Sequence, residues 1–217
     1  MDERTQALVL RVHPLTETSL IVRWLTREMG RVATVAKGAL RPKSPFRGKL
    51  DLFYFADITI RWSRHSELHA LREVTLHDSH PFLRRELGYL QQASYCAALI
   101  EQVTEIETPI LAVFDLLKTF LEMLGNQPPA SRNVIAFELK LLNELGLKPD
   151  LEKTRLTGGA KEIIKNLTAT EWSSINQLHL SQPQETELRQ FLHGFLIFHL
   201  GKAPKSRGAA LKSALNY

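Results

Sequence analysis

The chain has 217 residues, of which 44% are hydrophobic and 24% charged, so it can bury the core of one large or two small domains. Its formal net charge is only +5. No apolar run approaches the roughly 20 residues that cross a bilayer, and the first residues, MDERTQ, are acidic and polar where a signal peptide is basic and then apolar. We therefore expect a cytoplasmic protein with no membrane partner.

The first third of the chain has the pattern of a small β-barrel. Five segments rich in Val, Ile, Thr and aromatic residues predict strands. These are ALVLRVH at 7–13, SLIVRWLT at 19–26, RVATVAKG at 31–38, DLFYFADITIRW at 51–62 and ELHALREVTL at 67–76. Five strands with one long connection fit a closed barrel of the OB type, while an SH3-like barrel or an open sheet remain alternatives.

The second and third strands and the long connection after them carry a dense basic cluster. The cluster consists of Arg23, Arg27, Arg31, Lys37, Arg41, Lys43, Arg47 and Lys49. Glu28 is the one acidic residue within this stretch. Positive charge this concentrated usually indicates an anionic partner.

After Ser79-His80-Pro81 the apolar residues recur at spacings of three and four, which predicts a bundle of helices. The predicted helices span 82–105, 108–125, 131–146, 169–178 and 184–200. The segment 150–167 contains Gly158-Gly159 and few apolar residues, so we interpret it as a loop with one turn. The fold class is therefore α+β, with an N-terminal five-stranded OB-type β-barrel followed by a C-terminal α-helical bundle.

A second basic cluster follows the last long helix. Lys202, Lys205, Arg207 and Lys212 have no acidic residue among them. One interpretation is a solvated cationic helix terminus, which the helix dipole favours. The other is a further short helix that begins near Pro204.

Several strings in their order and spacing resemble the RecO family of bacterial recombination mediators. The first covers 7–44 and includes Glu-x-Ser before a strand, a Thr-x-x-x-Gly turn and the run Ala-Lys-Gly-Ala-x-Arg-x-x-Ser. FELKLLNELGLKPDL at 137–151 and LGKAPKSR at 200–207 continue the resemblance, which covers essentially the whole chain. Each string alone is moderately specific, and their common order makes chance agreement improbable.

The resemblance implies a non-catalytic protein of DNA repair and homologous recombination. Proteins of this family bind single- and double-stranded DNA, anneal complementary strands and, with RecR, help to load RecA onto DNA coated by the single-strand-binding protein SSB. They also contact the acidic, apolar C-terminal tail of SSB. The implied domains are an OB-fold nucleic-acid-binding domain at 1–80 and an α-helical domain at 81–217.

One departure from the family pattern is plain. Many members carry two cysteine pairs, a zinc ribbon, after the string that corresponds to GLKPDL. The stretch from Glu152 to Glu171 contains no cysteine here, so the resemblance implies a zinc-free variant in which the loop 150–167 replaces the ribbon.

Independently of the resemblance, the residues themselves support a nucleic-acid site. The best phosphate contacts are Lys37 at a strand exit and the cations of the long connection, with Phe46 as the predicted platform for base stacking. The candidate DNA-binding residues are Lys37, Arg41, Lys43, Phe46, Arg47, Lys49, Lys202, Lys205 and Arg207. The competing interpretation of the first cluster is a solvated loop with scattered charges. A pocket for the SSB tail cannot be assigned from the sequence.

The sequence has no pattern typical of an enzyme, a metal site or a cofactor site. The single cysteine, Cys96, lies in an apolar stretch that favours a packed side chain, and the histidines have no recognised ligand spacing. Gly158-Gly159-Ala160-Lys161 lacks the spacing of a phosphate loop. The main alternative is a protein-interaction scaffold whose basic patch does not bind nucleic acid.

Overall fold

The chain folds as two units, which we describe separately from a computed structural model covering residues 2–212. The first unit comprises the chain as far as Pro81 together with Thr104–Asp115. The second comprises Phe82–Val103 and the chain from Leu116 onward.

Five strands close into a barrel in the first unit. They are β1 (Asp2–Pro14), β2 (Leu20–Thr26), β3 (Gly30–Ala36), β4 (Phe55–Arg61) and β5 (Leu68–Asp78). Their order around the barrel is β1-β2-β3-β5-β4, and β1 closes the ring by pairing with β4. The predicted five-stranded OB-type barrel is thereby confirmed.

The length of β1 allows it to pair on both of its edges. Its residues from Ala7 onward pair with β2, and its residues up to Leu8 pair with β4, both antiparallel. The remaining seam, between β3 and β5, is short and parallel. Because every strand has two neighbours, the described strands form a closed ring.

The barrel interior is filled by side chains that alternate along the strands. Trp24 is fully buried, and its indole Nε1 donates a hydrogen bond to the hydroxyl of Thr34 at 2.8 Å. Buried polar groups need such a partner, since an unmade bond would cost about 1–3 kcal/mol. Trp24 is therefore a core residue.

The segment Thr104–Asp115 joins the first unit through β3. The guanidinium of Arg31 donates to the side chain of Thr104 at 2.8 Å and also to its carbonyl oxygen, while Glu107 N donates to Arg31 O at 2.9 Å. Gly30 has φ +69°, and a Cβ there would collide with the backbone of Thr108. A glycine at the start of β3 is thus required by both conformation and space.

The helices of the chain are α1 (Leu87–Val103), α2 (Leu111–Leu124), α3 (Ser131–Glu144), α4 (Gly158–Ala169), α5 (Gln182–Leu200) and α6 (Arg207–Lys212). Short 3₁₀ helices occupy Pro81–Arg84, Leu151–Lys153 and Trp172–Gln177. The helical second half is confirmed, and a short helix does follow Pro204. Within the span predicted as a helix at 169–178, the structure has the 3₁₀ helix Trp172–Gln177 instead.

The prediction of a loop over 150–167 is wrong, because most of its second half is the helix α4. The hydroxyl of Thr157 caps this helix by accepting from Ala160 N at 3.3 Å. Ala160, Ile164 and Leu167 form one buried face with the spacing of a helix. Gly158 and Gly159 occupy the first turn of this helix, where glycine is tolerated. A pair of glycines usually indicates a loop, which is why the sequence pattern predicts one here.

Helix α3 lies at the centre of the second unit and carries a buried carboxylate. Glu138 is 0% exposed, and it accepts hydrogen bonds from Arg207 Nε at 2.6 Å and Nη2 at 2.8 Å. Tyr95 Oη donates to the same carboxylate at 2.5 Å. Burial, followed by the adjacent carboxylate, raises the pKa of Tyr95 well above its ordinary value. This network joins α1, α3 and α6.

The prediction of Arg207 as a DNA-binding residue is wrong, since the side chain is committed to the interior. Only 7% of Arg207 is exposed, its Nε and Nη2 donate to Glu138, and its Nη1 donates to Arg189 O at 3.2 Å. A buried carboxylate needs a cation beside it, and the planar guanidinium supplies one with two parallel bonds.

Replacing Arg207 with alanine is expected to lower the free energy of unfolding by about 3–5 kcal/mol, because Glu138 would remain buried without its cation. Urea titration followed by circular dichroism measures this loss. The control is Lys205→Ala, which removes an exposed cation two residues away and should change stability by less than about 0.5 kcal/mol. Equal effects of the two substitutions would contradict the structural role.

Candidate nucleic-acid interface

The β3–β4 connection, residues 37–54, is the longest link between strands of the barrel. Successive tight turns shape its first half. Arg41 N donates to Gly38 O at 3.1 Å, Ser44 N to Arg41 O at 3.0 Å, and Arg47 N to Ser44 O at 3.2 Å. The connection is therefore an ordered segment whose backbone makes its own hydrogen bonds.

Both ends of the β3–β4 connection are attached to the barrel. Gly38 N donates to the hydroxyl of Ser19 at 3.1 Å, in a backbone conformation with φ +68° that favours glycine. At the other end, Phe53 N donates to Val9 O at 2.8 Å. These bonds hold the intervening cations in place relative to the barrel.

Four of the predicted cations are exposed on this connection: Lys37, Arg41, Lys43 and Arg47. Lys49 is half-buried, and its ammonium donates to Val74 O at 3.1 Å, which ties the connection to β5. No Asp or Glu occurs from residue 29 to residue 50. The result is a surface segment of uncompensated positive charge, which attracts anions.

Two other basic residues near this segment, Arg31 and Arg27, contact protein groups. Arg31 is half-buried and bonded to Thr104, and Arg27 lies 3.7 Å from the carboxylate of Glu28. Arg23 is exposed on β2. The cation density of the sequence therefore overstates the charge that is free to meet a ligand.

In the second unit, Lys202 and Lys205 are exposed just after the end of α5. The carbonyl oxygen of Lys202 accepts a hydrogen bond from Gln102 Nε2 at 2.6 Å, while its side chain faces solvent. Gly201 ends the helix with φ +76°. Of the three C-terminal candidates, these two remain available to a ligand and Arg207 does not.

The prediction of Phe46 as an exposed stacking platform is wrong. Only 6% of the residue is exposed, and it belongs to the hydrophobic cluster that fills the barrel. The β3–β4 connection folds back so that this ring joins the same buried cluster as the barrel residues Leu20 and Val74. An aromatic residue on a long connection gains more from burial than from exposure when the barrel end needs covering.

The connection forms a pocket of about 320 Å³ that the sequence analysis did not anticipate. Its lining consists of Leu20, Ala39, Leu40, Pro42, Phe46, Arg47, Gly48 and Leu50. Leu40 stands at this pocket with 55% of its surface exposed. The sequence signal for this pocket is the set of apolar residues that alternate with cations at 40–50. The fold is what places these residues around one pocket.

Within residues 2–212, no group of three or more His, Cys, Asp or Glu side chains is placed to hold a metal ion. None of the helices in that range has the length and apolar character needed to traverse a lipid bilayer. Cys96 is buried, and burial raises the pKa of its thiol, as expected of a packed side chain.

Two family models match the chain. The model described as Recombination protein O N terminal matches residues 1–80, and the model described as Recombination protein O C terminal matches residues 84–161. These ranges take in all five strands and the helices up to the start of α4.

Curated relatives carry the name DNA repair protein RecO. That of Rhodopirellula baltica is 32% identical over 152 residues, which are 70% of this chain and 56% of the relative. That of Desulforamulus reducens is 26% identical over 94% of this chain and 91% of the relative. That of Pelotomaculum thermopropionicum is 27% identical over 95% of this chain and 98% of the relative. The aligned part thus spans just over half of the first relative and nearly all of the other two.

Replacing Phe46 with alanine is expected to lower the free energy of unfolding by about 3–5 kcal/mol, because a buried ring is lost from the barrel core. Chemical denaturation measures the change. Lys43→Ala, at an exposed position of the same connection, is the control and should alter stability by less than about 0.5 kcal/mol. A folded, fully stable Phe46→Ala protein would show that the ring does not support the barrel.

Proposed function

The chain belongs to the RecO family, and on that premise we propose that it acts in DNA repair as a non-catalytic protein that binds single- and double-stranded DNA. The observation that carries the proposal is the group of exposed cations on the anchored β3–β4 connection, with no carboxylate between residues 29 and 50. DNA is a polyanion, and a fixed row of Lys and Arg neutralises its phosphates.

The binding expected of such a surface is chiefly electrostatic. Each phosphate contact releases condensed counterions, so affinity falls as salt rises, with a logarithmic slope of about 0.7 per contact for single strands and 0.9 for duplex. Because the backbone of this loop is held to the barrel, binding costs little backbone freedom, whereas the Lys and Arg side chains still lose rotamer freedom at each phosphate. Binding of this kind is tolerant of sequence and strand number, which suits a protein that handles both forms of DNA.

We extend the proposal to annealing and loading. Neutralising the phosphates of two complementary strands reduces their mutual repulsion, so a protein with more than one cationic surface promotes pairing. Lys202 and Lys205 supply such a surface on the second unit. In keeping with the family, the partners proposed are RecR, the C-terminal tail of SSB and, indirectly, RecA during its loading onto SSB-coated DNA.

A second candidate function is a protein-interaction scaffold, and one observation favours it. Phe198 on α5 is 82% exposed and Ile197 beside it is 43% exposed, which is unusual for large apolar side chains. A scaffold would bind partner proteins through such groups and show weak DNA binding that is nearly independent of salt. A titration of DNA binding against salt concentration therefore distinguishes the two candidate functions.

Reversing the charge of Arg41, Lys43 and Arg47 together with glutamate is expected to weaken binding to oligonucleotides without unfolding the protein. Loss of three phosphate contacts should lower the salt slope by about 2 for single strands and by nearly 3 for duplex. Fluorescence anisotropy of labelled oligonucleotides over a salt series measures both quantities.

The matched control reverses three exposed cations of the second unit, Lys148, Arg155 and Lys165, so that the net charge of the two variants is the same. A general effect of net charge would weaken both variants alike. Unchanged affinity of the Arg41, Lys43 and Arg47 variant would remove the β3–β4 connection from the proposed interface.

Annealing provides a separate prediction. The wild-type protein should accelerate pairing of complementary labelled strands, and Lys202→Glu with Lys205→Glu should slow it by removing cations from the second unit. Fluorescence quenching between the two labels follows the reaction. Strong DNA binding without any acceleration of pairing would restrict the proposal to binding alone.

A further inference from the structure

The pocket of the β3–β4 connection has a chemistry beyond its charge. Its volume of about 320 Å³ lies at the lower end of the range for sites that hold small organic groups. Its lining is apolar apart from one cationic side chain, that of Arg47. A small, largely apolar group next to an anion is the kind of ligand that such a site accommodates.

We propose that this pocket receives one unstacked base of a single-stranded nucleic acid. The inference rests on the proposed function, because it concerns the same cationic connection, and it adds a contact to the base where the function itself needs only phosphates. It predicts a preference for single strands over duplex at this site, since a paired base is not free to enter.

The walls of the pocket suit a base. Phe46 is among the lining residues but is only 6% exposed, so most of the wall that a base would meet is aliphatic. Leu40 and Pro42 supply apolar contact near the solvent. Apolar contact of this kind accepts any base, because every base has an apolar aromatic face.

The cations lie where a strand would need them. Each base of a strand is attached between two phosphates. Arg47 lines the pocket, and the exposed Arg41 and Lys43 are the chain neighbours of the lining residue Pro42.

Arg47 also contacts Pro42, since its Nη1 donates to Pro42 O at 3.1 Å. A strand whose base enters the pocket would therefore meet several cations beside it. An acidic peptide with one apolar side chain would use the pocket and a single cation, and would leave the others without a role.

The test compares two single-stranded oligonucleotides of equal length, oligo(dT) and a fully abasic deoxyribose phosphate chain with the same number of phosphates. Wild-type protein should bind oligo(dT) at least about fivefold more tightly, which corresponds to about 1 kcal/mol from apolar contact between one base and the pocket. The comparison is made by anisotropy at one low salt concentration and needs no variant.

A variant assigns the difference to the pocket. Leu40→Ser should weaken binding to oligo(dT) severalfold and leave binding to the abasic chain unchanged, since it removes apolar wall and no charge. Leu15→Ser is the matched control, because Leu15 is also an exposed leucine of the first unit, 44% exposed, but does not line the pocket. Thermal unfolding of both variants verifies that they remain folded.

Three other outcomes would overturn the inference, each for a different reason. Equal affinity of wild-type protein for the two chains would leave DNA binding intact and show that the pocket receives no base. Absence of binding to either chain at low salt would remove the proposed function as well. If the chains bind equally and Leu40→Ser abolishes binding of an acidic peptide that ends in phenylalanine, the pocket belongs to a protein partner.

Discussion

The double pairing of β1 is the constraint on which the first unit depends. A single strand from Asp2 to Pro14 bonds β2 along one part and β4 along another, and so turns a five-stranded sheet into a closed barrel. Closure leaves the β3–β4 connection as the one long link of the barrel within the described residues. Because Val9 of β1 also holds Phe53 at the end of that link, the strand that closes the barrel also positions the candidate interface.

In the second unit, a buried charge has the organising role. Glu138 sits on the central helix with no exposure, and its carboxylate is tolerated there because Arg207 and Tyr95 satisfy it from two other helices. The contact between Arg207 and Glu138 also separates the buried and the exposed cations of the C-terminal basic cluster. Arg207 serves the interior, whereas Lys202 and Lys205 face solvent and retain their charge for a ligand.

The β3–β4 connection has two roles: it covers part of the barrel core and it presents cations to solvent. The residues for both roles alternate in its sequence. Its apolar residues, Phe46 among them, turn inward and cover part of the barrel core, and its basic residues remain outside. Packing of the apolar residues and the hydrogen bonds at both ends attach the backbone of the segment to the barrel, so the cations extend from an anchored backbone. The pocket arises at the boundary between the two sets, where Leu40 and Arg47 share one concavity.

The fold class, the order of the five strands and the location of the basic connection follow from the sequence, because hydrophobic period and turn residues are local signals. The sequence could not determine the helix at Gly158–Ala169, whose first-turn glycines imitate a loop and whose apolar face is short. Nor could it determine the orientation of Phe46 and Arg207, since burial of a ring or a cation depends on partners distant in the chain, such as Leu20 and Glu138. Tertiary structure alone decided which charges are free and where apolar surface is left open, because both follow from contacts between segments that the sequence does not place together.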